Sequence, residues 1–456
     1  MSRGYRPPVA RTRPSRQPLL DRFRLAVATA LCCAAGLTLA VPGTLGVGPV
    51  VVVGDAITPP ATDSCAPSWV TGWQAAPRAV PAGRELAGAT LRMVVQPQVS
   101  GSGIRVRLSN AYGATPLVVG AVTVARSGGG AEVIAGTVRR VTFDDAPTVT
   151  VPAGVDVLSD PVELAAVAGG PLAVSVFLAE VPDILTQHVV ATQTSYLSGP
   201  GDVTEAAADA FSDGVGAWSV LTGVDVFTED PVGVLVAVGD SITDGVGSGI
   251  GLDQRWTDAL ARRLADQAAP PTAAMVVLNA GIARNRLLDS DPVRAGDSPL
   301  IRFDRDVTAA AGAGDVVLNI GINDIAVGRS AAEVVRGLRG YVAIAEAADK
   351  RVFLTTITPS VAGAHGTRGA VGTRVAVNAW VRAQGPTVAD GVIDFAAAVA
   401  DPADPNRLAP AFDSGDGLHL SAAGHQAMAD AVDLTRLTGS PCRAEPGAIP
   451  VTDGAD

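Results

Sequence analysis

The sequence predicts an all-β sandwich followed by a three-layer α/β/α domain with about five parallel strands. In residues 66–230, short β-branched runs are separated by turn signals and show almost no helical periodicity, which is typical of an antiparallel sandwich. From residue 231 onward, continuous apolar strands alternate with amphipathic helices, as in a parallel sheet covered on both faces. The chain has 456 residues, 48% of them hydrophobic, which is enough for two such domains.

The N-terminus has the layout of a secretory signal. Seven arginines stand against Asp21 in the first 24 residues, and Leu25–Val41 is then uncharged. A basic region, an apolar run and small residues near Ala40 predict a signal peptide over residues 1–45, exported by the Sec route and cleaved, so the protein is expected to be secreted. An uncleaved anchor is the alternative, although Pro42 and the glycines after it interrupt a spanning helix. A Pro/Gly/Thr-rich linker is predicted over residues 46–65.

The net charge and the cysteine content limit which partners, disulfides and metal sites are expected. The leader carries +6 of a whole-chain charge of −11, so about −17 remains on the exported part, which excludes nucleic acid as a plausible partner. Once the leader is removed, Cys65 and Cys442 remain, and an oxidising compartment favours a disulfide between them. Two unpaired, buried thiols are the alternative. No C-x-x-C motif or His/Cys cluster is present, so no metal site is expected.

The individual elements follow from local patterns. In the first domain, the predicted strands include Leu91–Gln96, Ile104–Leu108, Leu117–Val124, Val138–Phe143 and Leu172–Phe177. In the second domain, residues 231–440, the predicted strands are Val232–Val238, Ala274–Asn279, Val316–Ile320, Val352–Ile357 and Gly391–Phe395. The predicted helices there are Arg255–Gln267, Ile301–Ala311, Ala331–Ala348, Arg374–Gln384 and Ser421–Leu434. A C-terminal tail covers residues 441–456.

Unusual residues follow the parallel strands at their carboxyl ends, where ligands bind in such sheets. The first strand runs into Gly239-Asp240-Ser241, and a serine on a tight strand-to-helix turn projects its hydroxyl from the sheet edge. The alternative is a plain helix cap by Asp240 or Ser241. A nucleotide-binding loop is excluded, because neither a Gly-Lys-Ser/Thr sequence nor G-x-G-x-x-G spacing follows.

Three further segments beyond the predicted strands carry groups that could act together with Ser241. The second strand ends at Gly281 and the third at Gly321-Ile322-Asn323-Asp324, where a backbone N–H and an amide can donate to an oxyanion. Near the C-terminus, Asp416 precedes His419 by three residues. At that spacing, a carboxylate can reach Nδ1 of the imidazole and leave Nε2 free to accept a serine proton.

Taken together, these motifs resemble the SGNH, or GDSL-type, esterase and lipase family over about Val232–Leu434. The resemblance implies Ser241 as nucleophile, His419 as general base and Asp416 as its orienting carboxylate. It also implies an oxyanion hole formed by Gly281, Asn323 and the Ser241 backbone. The expected reaction is ester hydrolysis through an acyl-enzyme, which needs neither metal nor organic cofactor.

The preceding region is similar to the β-sandwich of secreted bacterial members of that family, through WVTGWQAAP at Trp69–Pro77 and IRVRLSNAYG at Ile104–Gly113. Its role is open between binding substrate and covering one side of the catalytic domain. The substrate is expected to be an acylated carbohydrate or a lipid ester. The competing hypothesis is a secreted carbohydrate-binding or adhesion protein that uses the hydrolase fold as a scaffold.

Five other polar residues have weaker signals. Asp244 and Asn285 are predicted to brace the site. His425 is predicted to pack or to face solvent rather than to bind metal. His188 and His365 have no partner that sequence reasoning can identify.

Overall fold

The computed structural model describes residues 66–230, 232–266 and 275–439. The predicted signal peptide, linker and C-terminal tail lie outside the described residues, and so do Cys65 and Cys442. The disulfide between these two cysteines therefore stays a prediction.

The N-terminal region consists of antiparallel strands. They are β1 (Ser68–Gln74), β2 (Arg78–Pro81), β3 (Ala89–Val95), β4 (Gly101–Ser109), β5 (Leu117–Gly129), β6 (Glu132–Val133), β7 (Arg139–Arg140), β8 (Val149–Val151), β9 (Asp156–Leu158), β10 (Val162–Ala166), β11 (Leu172–Glu180), β12 (Ile184–His188), β13 (Ser195–Pro200), β14 (Phe211–Val215), β15 (Trp218–Ser219) and β16 (Leu221–Thr228). One sheet has the order β1-β16-β4-β10 with β9 beside β4, and a second has the order β14-β13-β3-β11-β5-β6 with β7 and β8 beside β5. A third sheet is β15-β12-β2.

Burial follows the pleat of these strands. In β10, buried Val162, Leu164 and Ala166 alternate with exposed neighbours, as expected of a strand with one face on a core. Every residue of β3 is buried. Both larger sheets contribute side chains to one apolar core, so the region is strand-rich as the sequence predicts, while its description as a sandwich stays a prediction.

The strand predicted at Val138–Phe143 is much shorter in the structure. Only Arg139–Arg140 forms a strand there, and the chain turns back between Phe143 and Ala146. Asp144 and Asp145 occupy that turn with φ of 51° and 64°. Aspartate tolerates this left-handed conformation better than most residues, so the turn chemistry ends the strand early.

The C-terminal region is an α/β fold with five parallel strands, as the sequence predicts. They are β17 (Gly233–Gly239), β18 (Met275–Gly281), β19 (Ala313–Asn319), β20 (Arg351–Thr355) and β21 (Gly391–Ile393), in the order β18-β17-β19-β20-β21. A small antiparallel pair, β22 (Ala400–Asp401) and β23 (Asp404–Leu408), follows. All seven residues of β17 are buried, because this strand lies between β18 and β19 and is covered on both faces.

Eight α-helices connect and cover this sheet in the part of the chain that the structure describes. They are α1 (Ser241–Asp244), α2 (Trp256–Asp266), α3 (Pro299–Phe303), α4 (Ile322–Ala326), α5 (Ala331–Ala347), α6 (Arg368–Val388), α7 (Phe395–Val399) and α8 (Ala422–Asp430). The short helices α1, α4 and α7 carry no periodicity that sequence reasoning could detect. No helix among the described residues combines the length and the apolar character needed to cross a bilayer.

One predicted helix is divided in the structure. The expected helix Ile301–Ala311 is replaced by α3, which Ser298 caps, and by a single π-helical turn at Asp304–Thr308. In that wide turn, the amide of Ala309 bonds to the Asp304 carbonyl. The carbonyl of Asp306, within the π turn, accepts a hydrogen bond from the Gln74 side chain (2.9 Å). A contact from the strand-rich region therefore accompanies this departure from α-helical geometry.

The two regions belong to one compact unit and share many hydrogen bonds. Ala75, just after β1, forms a parallel bridge with Asn279 on the outer edge of β18, and the amide of Val277 donates to Gln98 Oε1 (2.8 Å). The strand-rich region thus covers the open edge of the parallel sheet, which would otherwise present unpaired backbone groups.

Candidate active site

Ser241 is the first residue of α1, immediately after the central strand β17. Asp240 caps this helix, with its Oδ1 accepting the Ile242 amide (3.0 Å). A Cβ at Gly239 would lie 2.5 Å from the Asn319 carbonyl oxygen, so only glycine fits this turn. The sequence therefore folds locally into a tight strand-to-helix turn that carries the serine hydroxyl.

The three predicted catalytic residues come together. The Ser241 hydroxyl donates to His419 Nε2 at 3.0 Å, and His419 Nδ1–H donates to Asp416 Oδ2 at 2.6 Å. The carboxylate fixes the tautomer in which Nε2 is a proton acceptor. The serine lies 178 residues from the histidine in sequence, so the fold itself assembles this relay.

Asp416 remains ionised in this arrangement. Burial opposes its charge, but hydrogen bonds from the His419 ring and from the backbone amides of Leu418 (2.9 Å) and His419 (2.8 Å) outweigh burial and lower the pKa of Asp416. The carboxylate is 51% exposed, and the His419 side chain is 17% exposed. The relay therefore lies close to the protein surface.

A second aspartate shapes the same loop. Asp413 Oδ1 accepts the amides of Gly415 (2.7 Å) and Gly417 (3.0 Å), and both glycines have positive φ, at 112° and 75°. Glycine adopts this conformation at no steric cost. The DSGDGLH segment is thus a preformed loop in which Asp413 holds the backbone and Asp416 holds the imidazole.

Asn323 lies in the first turn of α4, after Gly321 with φ of 121°. Its Nδ2 donates one hydrogen to the Asn285 carbonyl (3.0 Å), and its Oδ1 faces His365 Nε2 at 3.3 Å. An amide nitrogen carries two hydrogens, so the second is available to a ligand. His365 is near His419, and burial, followed by that neighbour, lowers the pKa of His365.

Gly281 has a packing role at this edge. A Cβ there would lie 2.2 Å from the backbone nitrogen of Asp244 in α1, so glycine permits β18 and α1 to approach. Its N–H donates to Asn279 Oδ1 (2.9 Å) and is therefore already engaged in this structure. Its contribution to an oxyanion hole stays a prediction.

The turn that follows β18 is tied to α1. The amide of Ala283 donates to Asp244 Oδ2 (2.7 Å), and the amide of Asn285 donates to the Ile282 carbonyl (3.0 Å). Between them, Arg284 has φ of 69°, a strained conformation for a non-glycine residue. Asp244 and Asn285 are both buried in contact with the site, where the sequence predicts that they brace it.

Sequence reasoning missed Arg302, a buried arginine beneath the site. Its guanidinium donates to the carbonyls of Ala280 (2.9 Å) and Gly239 (3.2 Å) and to Asn285 Oδ1 (3.0 Å), and it forms an ion pair with Asp306. It therefore joins the ends of β17 and β18 to the turn that carries Asn285. The sequence holds no signal for this role, because an arginine in a short amphipathic segment usually faces solvent.

Two other ionisable groups near the site are buried without taking part in the relay. Burial, and then the neighbouring Asp324 and Asp244, raise the pKa of Asp240 to about 7, although the Ile242 amide that it caps acts in the opposite direction. Burial lowers the pKa of His425 to about 4, so this histidine is neutral and packed. Within the described ranges, no group of three or more His, Cys, Asp or Glu side chains is placed to hold a metal ion.

Comparison with known proteins agrees with this geometry. The model of the GDSL-like lipase/acylhydrolase family matches residues 237–427, which include Ser241, Asn323, Asp416 and His419. No curated protein matches the chain.

Solved structures similar to this chain include three esterases or lipases. A carbohydrate acetylesterase from Sinorhizobium meliloti is 18% identical and covers 44% of this chain and 95% of its own, with a TM-score of 0.35. An aryl esterase from M. smegmatis is 18% identical over 44% of this chain and 95% of its own, with a TM-score of 0.34. A GDSL-like lipase from Bacteroides thetaiotaomicron is 18% identical over 43% of this chain and 84% of its own, with a TM-score of 0.33.

The family match includes the serine, histidine and aspartate that the fold brings together. The chain thus carries a domain of the GDSL-like lipase/acylhydrolase family over residues 237–427 and is a carboxylic ester hydrolase.

Proposed function

We propose that this chain is a secreted serine esterase that hydrolyses its substrate through an acyl-enzyme on Ser241. The observation that carries the proposal is the continuous hydrogen-bond relay from Ser241 Oγ through His419 to Asp416, with distances of 3.0 and 2.6 Å. In this relay, each group has the partner that its role as nucleophile, general base or orienting carboxylate needs.

The reaction has two halves. Ser241 Oγ attacks the ester carbonyl while His419 Nε2 takes the hydroxyl proton, and the tetrahedral oxyanion is stabilised by N–H donors such as the second amide hydrogen of Asn323. The intermediate collapses to the acyl-enzyme as the C–O bond to the alcohol breaks and His419 returns the proton to that alcohol. Water then attacks the acyl-enzyme with His419 again as base, which releases the carboxylic acid and restores the serine.

For the substrate we propose short acyl esters of a carbohydrate. The half-exposed Asp416 and the nearby His419 place the relay close to the surface, where a bulky polar alcohol can approach while a small acyl group contacts the serine. The leader-like N-terminus supports an extracellular polymer as the source of such esters. A lipid ester is the other outcome that the assay distinguishes.

A chain-length series of p-nitrophenyl esters tests this function. We expect the highest kcat/KM on acetate and activity at the uncatalysed background for Ser241→Ala. Ser248→Ala is the matched control, because Ser248 lies in the loop after α1 and its hydroxyl donates to the Gly245 carbonyl (2.6 Å) rather than to the relay. Highest activity on long acyl chains would assign a lipid substrate instead.

A covalent serine-reactive probe tests the nucleophile separately. We expect it to label the wild type and Ser248→Ala but not Ser241→Ala. A folded wild type that is neither labelled nor active would refute the acyl-enzyme mechanism and favour the adhesion or binding scaffold.

A further inference from the structure

A buried histidine of the strand-rich region reaches the helix that carries Ser241. His188, the last residue of β12, is 5% exposed. Its Nδ1 lies 2.8 Å from the Ala76 carbonyl oxygen, and its Nε2 lies 3.1 Å from both the Val190 carbonyl oxygen and Asp244 Oδ1. Within the part of the chain that the structure describes, both ring nitrogens thus face only hydrogen-bond acceptors.

This environment favours a doubly protonated ring. A neutral imidazole has one N–H, so its other nitrogen would direct a lone pair at an oxygen 3 Å away. An imidazolium donates from both nitrogens and pairs with the Asp244 carboxylate, which is itself 2% exposed. A buried charge of this kind is stable only when it is paired and hydrogen-bonded, as it is here.

The charged groups around His188 are Asp244 and Arg255. Burial disfavours the imidazolium and Arg255 also opposes it, but Asp244 and the Ala76 carbonyl outweigh both and raise the pKa of His188. Arg255 is held away from the ion pair, because its guanidinium donates to the Ala191 carbonyl and lies over the Trp218 ring, 5.5 Å from its centroid.

Asp244 connects this histidine to the catalytic geometry. It is the last residue of α1, three positions after Ser241, and its second oxygen accepts the Ala283 amide (2.7 Å). The turn of residues 282–285 then holds Asn323, whose amide donates to the Asn285 carbonyl (3.0 Å). The contacts therefore run from His188 through Asp244 to both sides of the site.

We propose that His188 is a positioning residue for ester hydrolysis. As a buried imidazolium paired with Asp244, it holds α1 and the 282–285 turn together and so sets the spacing between the Ser241 hydroxyl and the Asn323 amide. This inference rests on the proposed catalytic role of Ser241. It gives the strand-rich region a part in catalysis that requires no contact with the substrate.

The proposal predicts a decline in activity at alkaline pH. A histidine whose pKa is raised on folding stabilises the folded state fully below its unfolded pKa and loses that contribution as the pH rises through its folded pKa. Once one proton leaves, the ion pair with Asp244 is lost, and one ring nitrogen directs a lone pair at an acceptor oxygen: that of Ala76 at Nδ1, or those of Val190 and Asp244 at Nε2. The kcat should then fall on the alkaline side while KM changes little, because the spacing of reacting groups is disturbed rather than substrate binding.

Three variants separate positioning from simple packing. His188→Gln keeps a neutral N–H donor near Asp244, so we expect most of the activity without the alkaline decline. Asp244→Asn should abolish the same decline, because it removes the carboxylate that pairs with the imidazolium, while its Oδ1 can still accept the Ala283 amide. His188→Leu removes both donors, and we expect kcat to fall by about 10- to 100-fold, as for a misplacement of about 1 Å.

His425→Gln is the matched control for loss of a buried histidine. His425 is fully buried and neutral, so this variant should retain the alkaline decline of the wild type. Kinetics on p-nitrophenyl acetate from pH 6 to 10 should be run beside thermal unfolding of each variant.

A second measurement does not depend on activity. The chain has four histidines, so the ring ¹⁵N resonances can be assigned by substitution, and we expect His188 to carry protons on both nitrogens at pH 7.

A neutral His188 at pH 7 would overturn the inference, and so would a folded His188→Leu with wild-type kcat and pH profile. Equal losses of activity in the Leu and Gln variants would also overturn it, since packing alone would then explain both. An inactive, unlabelled wild type would instead refute the proposed function of Ser241, and the ¹⁵N result would still decide the charge of His188.

Discussion

Replacing Asp416 by Asn tests the part of the relay that lies closest to solvent. The change removes the negative charge beside His419 Nδ1 and keeps the size of the side chain. An amide oxygen can still accept hydrogen bonds from the backbone amides of Leu418 and His419, so we expect the loop to keep its conformation.

The expected size of the effect follows from one contact. The 2.6 Å bond between His419 Nδ1 and Asp416 Oδ2 is charge-assisted, and such bonds contribute about 1.5–3 kcal/mol. At about 1.36 kcal/mol for each tenfold change in rate, its loss in the transition state lowers kcat roughly 10- to 150-fold. This is less than the loss of about 10⁴-fold known for a buried triad aspartate, because this carboxylate is 51% exposed and water can replace part of its effect.

The assay compares kcat on p-nitrophenyl acetate between the wild type and each variant at one pH. Asp413→Asn is the matched control, because Asp413 holds the same loop through Gly415 and Gly417 without touching His419. A wild-type rate in Asp416→Asn would refute the triad assignment. An equal loss of kcat in Asp413→Asn would show that the shape of the loop, not the charge beside His419, determines the rate.

Three further predictions concern other residues. Asn323→Ala should lower kcat by about 100- to 1000-fold, and Asn323→Asp should match that loss despite its equal size, because a carboxylate cannot donate to an oxyanion; similar kcat for Asn323→Asp and wild type would contradict this. Asp240→Asn should become more stable than the wild type as the pH rises from about 4 to 7, by up to several kcal/mol in denaturant unfolding. The reason is that folded Asp240 keeps its proton up to about pH 7, whereas the unfolded chain releases that proton near pH 4. A stability difference independent of pH would contradict that cause. A nonreduced digest analysed by mass spectrometry should join Cys65 to Cys442, and two free thiols would disprove the bridge.

The sequence predicts the catalytic relay because its signals are local. Asp416 and His419 are three residues apart in one loop, and Ser241 stands between a buried strand and a glycine-limited turn. Parallel topology then places Ser241, directly after β17, at the edge of the sheet where ligands bind.

The supporting residues escape such reasoning because their partners are distant. His188 bonds to Ala76, 112 residues earlier, and Arg302 bonds to Gly239, 63 residues earlier. Neither contact leaves a pattern in the surrounding residues. The division of the helix expected at Ile301–Ala311 is likewise accompanied by a distant contact, the hydrogen bond from Gln74 in the other region.

The position of β18 explains how the two regions can act as one catalytic body. As the edge strand of the parallel sheet, β18 is covered by the strand-rich region through the Ala75–Asn279 bridge, and its last residue, Gly281, packs directly against α1. The pair formed by His188 and Asp244 makes a second connection to the same helix. The strand-rich region is thus connected in two independent ways to the four-residue helix that bears Ser241. A shift of that region must therefore either move the Ser241 hydroxyl or break buried polar contacts. The strand-rich region can therefore influence ester hydrolysis through the placement of α1 alone, whether or not it also binds the alcohol part of the substrate.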